Sequence, residues 1–233
     1  MLKRGLYQTI VYGCGIVPMA LHAQYDDDTQ TKIDAVTIVA KIFKNAFQKL
    51  VLSGMTLESM VEIIDYDFAI SEIGCFCLGS YRRLFSSEAL SQYQETFKRY
   101  FASYYFQIFS DIKNMSMQIR NCLKNEIGQY VVHAQCFVER QDGEENVIDI
   151  LWFLEYQPYA QRLQIVDISI FGYSIAVSKR DEYISILRQL EEQCEEDIAS
   201  PTAFSSYVVP KFLQHMKSVI DKHVENGTVH IVE

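Results

Sequence analysis

A serine set behind a glycine, with an acid before it and an arginine after it, is the arrangement in this chain nearest to catalysis. It runs Asp167-Ile-Ser-Ile-Phe-Gly172-Tyr-Ser174-Ile-Ala176, then Arg180 and Tyr183. Gly172-Tyr-Ser174-Ile-Ala176 is one residue short of the G-x-S-x-G turn that lifts a serine nucleophile above the sheet of a serine hydrolase. His215 and His223 lie downstream as candidate bases. That turn needs a parallel sheet of βαβ units and an earlier Gly-rich oxyanion segment. The chain has a hairpin where the βαβ units would be, and no such segment. The same residues therefore read as structural: Gly172 permits a turn out of a strand, Ser174 caps the following helix, and Asp167 anchors Arg180 across the turn. A second acid–base possibility is Asp167 with His133 on one sheet face. Cys75-Phe-Cys77 has no second pair at ligand spacing, so no metal site is read. No catalytic residue and no cofactor is assigned.

The elements that would hold these residues fall into three blocks. Ile33, Val36, Ile38-Val39, Ile42-Phe43 and Phe47 recur near every 3.6 residues and predict an amphipathic helix ending at Ser53-Gly54. Thr56 caps a second helix, and a third is expected from about Asp65 to Leu78, stopped by Gly79. From Ser86 to about Lys113 runs the longest helix, with the aromatic stripe Tyr93, Phe97, Tyr100-Phe101, Tyr104-Tyr105, Ile108. The period then changes to two. Tyr130 to Glu139 alternates, Asp142-Gly143 marks a hairpin, and Val147 to Tyr156 and Leu163 to Phe171 follow as strands, with another around Ser116 to Leu123. A helix is expected from Ser174 to Glu196, a break at Pro201, and a last helix from Val208 to Val224. Helices, then an antiparallel meander, then helices make an α+β chain.

Composition sets limits on function. With 233 residues, 49% of them hydrophobic, the chain can bury a substantial core; 15 Tyr and 14 Phe against one Trp suit an apolar interior with polar rims. A net charge of −9 opposes binding to nucleic acid, which depends on Lys and Arg. Lys3-Arg4 followed by an apolar stretch from Ile10 to Leu21 reads as a signal peptide over residues 1–23, cleaved after Ala23. The stretch is shorter than the roughly 20 residues a membrane span requires. Residues 24–200 then form one α+β domain and 201–233 a helical extension. Loss of Cys14 leaves Cys75, Cys77, Cys122, Cys136 and Cys194, an odd set that reads as small buried hydrophobes.

Ile64-Asp65-Tyr66-Asp67-Phe68, Leu78-Gly79-Ser80-Tyr81-Arg82, Ser86-Ser87-Glu88 and the spaced aromatics Tyr93, Phe97, Tyr100 and Tyr104 form one ordered block. The hairpin at Asp142-Gly143, then Asp167, Gly172, Ser174, Arg180 and Tyr183, form another. Together they resemble the toluene-tolerance, or MlaC-type, family of periplasmic phospholipid-binding proteins, from about residue 33 to 195. Ala89 stands where the family has glutamine, and Tyr173 where it has valine. The resemblance implies a helical layer packed on a curved antiparallel sheet of about four strands, like the nuclear-transport-factor cone, with a lipid cavity between the layers. It implies a periplasmic carrier that passes phospholipid between an outer-membrane lipoprotein complex and an inner-membrane ABC transporter bearing an MCE-domain protein.

On that footing the lipid-facing set is expected to comprise Phe97, Phe101, Tyr104, Tyr105 and Ile108 from the long helix. From the sheet it comprises Cys136, Val138, Ile150, Trp152, Leu154, Ile168 and Ile170. Leu151 and Phe153 are also apolar, and a one-residue slip would exchange the two faces. Two further readings compete: a cavity enzyme on the same architecture, and an adaptor that binds through the acidic run Glu191-Glu192…Glu195-Glu196-Asp197.

Overall fold

A computed structural model describes residues 9–11, 27–52, 56–194 and 201–229. The segment read as a signal peptide, apart from 9–11, and Glu195, Glu196 and Asp197 of the acidic run, lie outside the described residues. The chain forms two compact units, each discontinuous in sequence. The first comprises residues 1–54 and 111–174, the second 55–110 and 175–233.

The first unit is a meander. Its strands are β1 (Thr9–Val11), β2 (Ile112–Lys124), β3 (Tyr130–Arg140), β4 (Glu145–Gln157), β5 (Arg162–Ile170) and β6 (Tyr173–Ser174), paired in that order and antiparallel throughout. Four long strands carry the sheet, as the alternation predicts; the two short ones sit at its edges. The β3–β4 turn closes through Arg140 N–H to Glu144 O at 2.9 Å, with Gly143 at φ +85° and the Asp142 carboxylate accepting from Glu144 N–H at 3.0 Å. Only a residue free of a Cβ takes that left-handed position without cost. Helix α1 (Asp27–Leu52) starts six residues before Ile33, because Asp27 and Asp28 suit a helix N-terminus. It buries Ala35, Val39, Ile42, Phe43 and Ala46 and packs against β2 and β3. Tyr130 donates to the Asp28 carboxylate at 3.1 Å.

The second unit is helical: α2 (Leu57–Asp67), α3 (Ile70–Leu78), a 3-10 turn over Gly79–Leu84, α4 (Ser87–Ser110), α5 (Ile175–Glu192) and α6 (Pro201–Val229). Thr56 caps α2 reciprocally with Ser59. The expected break near Asp65 falls instead at Phe68-Ala69, where Phe68 is extended and its N–H bonds back to Ile64 O. Pro201 begins α6 instead of breaking the chain: at the first helical position its missing N–H has no intrahelical partner to lose. Pro210 lies within the same helix. Helix α4 packs on α2, α3 and α6, and α5 on α3 and α6.

A ring cluster fills this unit. Tyr93, Phe97, Tyr183, Phe204 and Phe212 are all at most 1% exposed. Tyr183 packs edge-on against Phe212 at 5.1 Å and against Tyr100 at 5.8 Å. Its buried hydroxyl has no acceptor among the described residues. A phenol desolvated without a partner costs about 1–3 kcal/mol. Replacing Tyr183 with Phe should therefore leave stability unchanged or raise it by roughly 1 kcal/mol, read from a denaturant midpoint. A loss of more than that would mean the hydroxyl is satisfied.

Candidate functional site

Strand register puts the seven sheet residues of the expected set on one face. Across the strands, Ala134, Ile150 and Ile170 lie in one row, Val132, Trp152 and Ile168 in the next, and Tyr130, Leu154 and Ile165 in a third. Cys136 and Val138 continue the same face of β3 beside Met117 and Met115. Val132, Ala134, Leu154 and Ile165 are fully buried, and Cys136, Val138, Trp152 and Ile168 nearly so; Ile150 and Ile170 are half-buried. Leu151 and Phe153 sit on the opposite face and are half-buried as well. The seven residues thus share one face, as the alternation predicts.

A bulge makes this face continuous. Phe153 pairs with Asp167 and Leu154 with Ile165, so Val166 is the extra residue. Strict alternation from Leu163 would place Asp167 among the apolar side chains. The bulge resets the phase, so that Ile165 and Ile168 both face inward and Asp167 faces out. Burial pushes the Cys136 thiol up to about 12, so it stays protonated and acts as a small hydrophobe. The Tyr130 hydroxyl on this face is taken up by Asp28, whereas the indole N–H of Trp152 is buried with no acceptor among the described residues.

The helix members divide. Phe97 is part of the ring cluster, between Tyr93 at 5.7 Å, Phe101 at 5.8 Å and Tyr183 at 6.2 Å, and the Gly74 backbone lies directly against its ring. Phe101 and Tyr105 group with Phe68 on another side of α4. Tyr104 lies edge-on to His223 at 6.1 Å, and Ile108 is 40% exposed. A stripe spaced in threes and fours thus serves more than one face, because α2, α3 and α6 all pack on this helix.

The Asp167–Ser174 segment is a small fixed structure. Ile170 pairs with Tyr173, so Phe171 and Gly172 form a two-residue hairpin loop, both at positive φ (+51° and +83°). This is the type I′ geometry, natural for glycine and rare for phenylalanine. Ser174 directly precedes α5, and its hydroxyl donates to Asp167 Oδ2 at 2.5 Å; Asp167 Oδ1 accepts from Ile168 N–H at 2.8 Å. Arg180 lies over the Phe76 ring at 5.0 Å. A serine whose proton is held by a carboxylate, at the edge of an all-antiparallel sheet, is not a hydrolase nucleophile elbow. Ser174→Ala should cost about 1–2 kcal/mol in thermal melts and leave any bound ligand in place. Lost ligand at unchanged stability would instead give the serine a binding role.

His133 does meet an acid, but it is Asp149 on the neighbouring strand, at 3.1 Å, with both groups on the half-exposed sheet face. That contact, with Gln135 beside it, lowers the Asp149 pKa. Asp167 lies two strands from His133 and one row along, engaged by Ser174.

A polar cluster that sequence spacing does not reveal joins α4, α5 and α6. Lys179 donates to Tyr100 at 2.8 Å and to Glu182 at 2.7 Å, and Ser103 lies 3.0 Å from His223 Nδ1. Burial opposes the Lys179 charge, yet its bonds to Glu182 and Tyr100 leave the pKa raised. Burial, and then the Lys179 charge, lower the His223 pKa below its ordinary 6.5; Glu182 works weakly the other way. A histidine with a depressed folded pKa contributes stability above its unfolded pKa, and that contribution is lost as pH falls through the lower folded pKa. Acidification below about 6.5 should therefore destabilise the native protein more than a His223→Gln variant. Melting curves of the two at pH 7.5 and pH 5 test this; parallel curves would refute it.

An open groove of about 590 Å³ separates the start of α4 from α6, lined by Glu88, Gln92, Ser205, Pro210 and Lys217 among others. Its mixed wall differs from the apolar sheet face. Among the described residues, no three His, Cys, Asp or Glu side chains are grouped to hold a metal, and no helix is long and apolar enough to cross a membrane.

Comparison with known proteins agrees with this architecture. A search of the curated proteins found none that matches the chain. Among solved structures, a phospholipid-binding protein from Ralstonia solanacearum, in complex with a phospholipid, is similar at a TM-score of 0.59 and 13% identity. The match covers 83% of this chain and 98% of that one. At that identity the likeness is one of fold. The family described as MlaC protein matches residues 35–196, most of the chain, and the protein belongs to the MlaC family.

Proposed function

We propose that the protein is a phospholipid carrier whose sheet face, from Cys136 and Val138 through Ile150, Trp152, Leu154, Ile168 and Ile170, receives the acyl tails. The observation that carries this reading is that apolar face, on which the Trp152 indole N–H is buried with no acceptor among the described residues. Two acyl chains contain about thirty methylenes, each worth roughly 0.8 kcal/mol against water, so a lipid leaves a membrane only for an apolar shelter. A buried indole N–H without a protein acceptor would be satisfied by an ester oxygen of the lipid. Membership of the MlaC family and the phospholipid bound by the similar Ralstonia solanacearum protein support the same ligand. The function is binding and transfer, not catalysis.

Within this reading the protein works in the periplasm after loss of residues 1–23. It accepts lipid from, or passes it to, an outer-membrane lipoprotein complex and an inner-membrane ABC transporter with an MCE-domain protein. Its net charge of −9 disfavours direct residence on anionic membrane surfaces, which suits exchange through protein partners.

Native mass spectrometry of the purified protein tests ligand binding, with co-purified phospholipid expected. Trp152 is the one tryptophan, so quenching of intrinsic fluorescence by lipid brominated along the acyl chain reports on this face alone. A protein that takes up no phospholipid, natural or brominated, would overturn the proposal.

A further inference from the structure

The outer edge of β2 carries a seat for an added strand. Register shifts between Ile112 and Asn114 and between Ile119 and Asn121 bend the strand at both ends. Between them, Asn114 to Ile119 step one-for-one with Glu139 to Ala134 of β3. Bulges and basic side chains normally blunt an edge against pairing. Here they frame a straight run about 20 Å long and leave it open.

That run already takes a strand. Thr9, Ile10 and Val11 pair antiparallel with Ile119, Gln118 and Met117. Three residues make a short ladder, and an isolated short pairing is marginal in water. The strand at the other edge, β6, is tied by a two-residue turn to β5, whereas β1 is separated from α1 by residues 12–26. β1 also belongs to the segment whose composition reads as a cleaved leader, so processing would vacate the seat.

We propose that the β2 edge from Asn114 to Ile119 is a docking site for a short extended segment of another protein, bound antiparallel in the place that Thr9–Val11 fills. Met117 and Ile119 are each 1% exposed and on the apolar face, whereas Ser116 and Gln118 point the other way. A fitting segment therefore alternates, with apolar or β-branched residues opposite Met117 and Ile119. Lys113 and Arg120 stand at its two ends, bonded to Glu139 and Gln135 of β3, and disfavour further basic residues there. The same pair argues against a second copy as occupant. In a symmetric pairing of two β2 edges centred on this run, Lys113 of one copy would face Arg120 of the other at both ends, and like charges directly opposite are destabilising.

The test uses the full chain. An Ile10→Pro variant loses β1 pairing and opens the edge. A second variant, Ile10→Cys with Gln118→Cys, pins β1 through a disulfide between directly opposed residues. The probe is a fluorescein-labelled peptide of the sequence Gln-Thr-Ile-Val-Tyr, followed by anisotropy, beside the same peptide N-methylated at Ile. The open variant should bind the peptide at least tenfold more tightly than the oxidised pinned variant, reduction should restore binding to the latter, and N-methylation should abolish it. Absence of binding to a folded Ile10→Pro variant would overturn the proposal, as would equal binding to the pinned chain. Dimerisation of the open variant in place of peptide binding would make the occupant a second copy, and would overturn it equally.

Discussion

Replacing Leu154 with aspartate should strip the protein of phospholipid, lowering the lipid recovered per chain at least tenfold. Leu154 is fully buried between Tyr130 on β3 and Ile165 on β5, on the apolar face. A carboxylate there has neither water nor a cation, and burying it unpaired costs several kcal/mol, comparable with the roughly 5–15 kcal/mol that holds a domain together. Misfolding alone would also release lipid, so two companions are needed. Ile170→Asp places the same charge at the half-buried end of this face, where the fold should tolerate it, and should still reduce lipid several-fold. Leu151→Asp places it at a half-buried position on the opposite face and should leave lipid content unchanged. If Ile170→Asp retains full lipid while Leu151→Asp loses it, the tails lie on the other side of the sheet. Thermal melts of all three separate unfolding from lost binding.

Truncating Phe212 to alanine should cost about 3–5 kcal/mol, the range for deleting a fully buried aromatic side chain. Phe212 is 0% exposed, stacks on Tyr93 at 6.1 Å and meets Tyr183 edge-on at 5.1 Å. In a protein of this size, a loss of that order lowers the melting temperature by roughly 10 °C. The residue lies on α6, beyond the stretch 35–196 that matches the family. A large effect therefore means that the segment past residue 200 is part of the core of the helical unit. A loss below about 1 kcal/mol would mean it is an appendage.

Most of the architecture was readable from pattern. The change of period after residue 113, the glycines at 143 and 172 and the Thr56 cap each have a local physical cause, so they placed strands, turns and a helix start without tertiary information. That the seven sheet residues share one face was readable for the same reason, since a period of two leaves only a choice between faces. What local pattern could not convey was helix packing. Phe97 and Ile108 look alike on a helical wheel, yet one is buried among rings and the other is 40% exposed, because neighbours distant in sequence decide which sides of α4 are covered. The pairing of Ser103 with His223 spans 120 positions and had no local signal. Val166 gave none either: a bulge becomes visible only once the partner strand is known.

The chain passes between its two units at residues 54–55, 110–111 and 174–175. No single cut separates them, so neither unit exists as one uninterrupted stretch of gene. Recombination cannot transplant either unit whole as a single cassette, and a stop codon between residues 111 and 174 leaves both incomplete. Variation in this protein must therefore accumulate through point substitutions and through growth at its ends. The sequence beyond residue 196 lies outside the family match. Anyone wishing to study one unit alone would need to fuse its separated pieces, or to express them as complementing fragments.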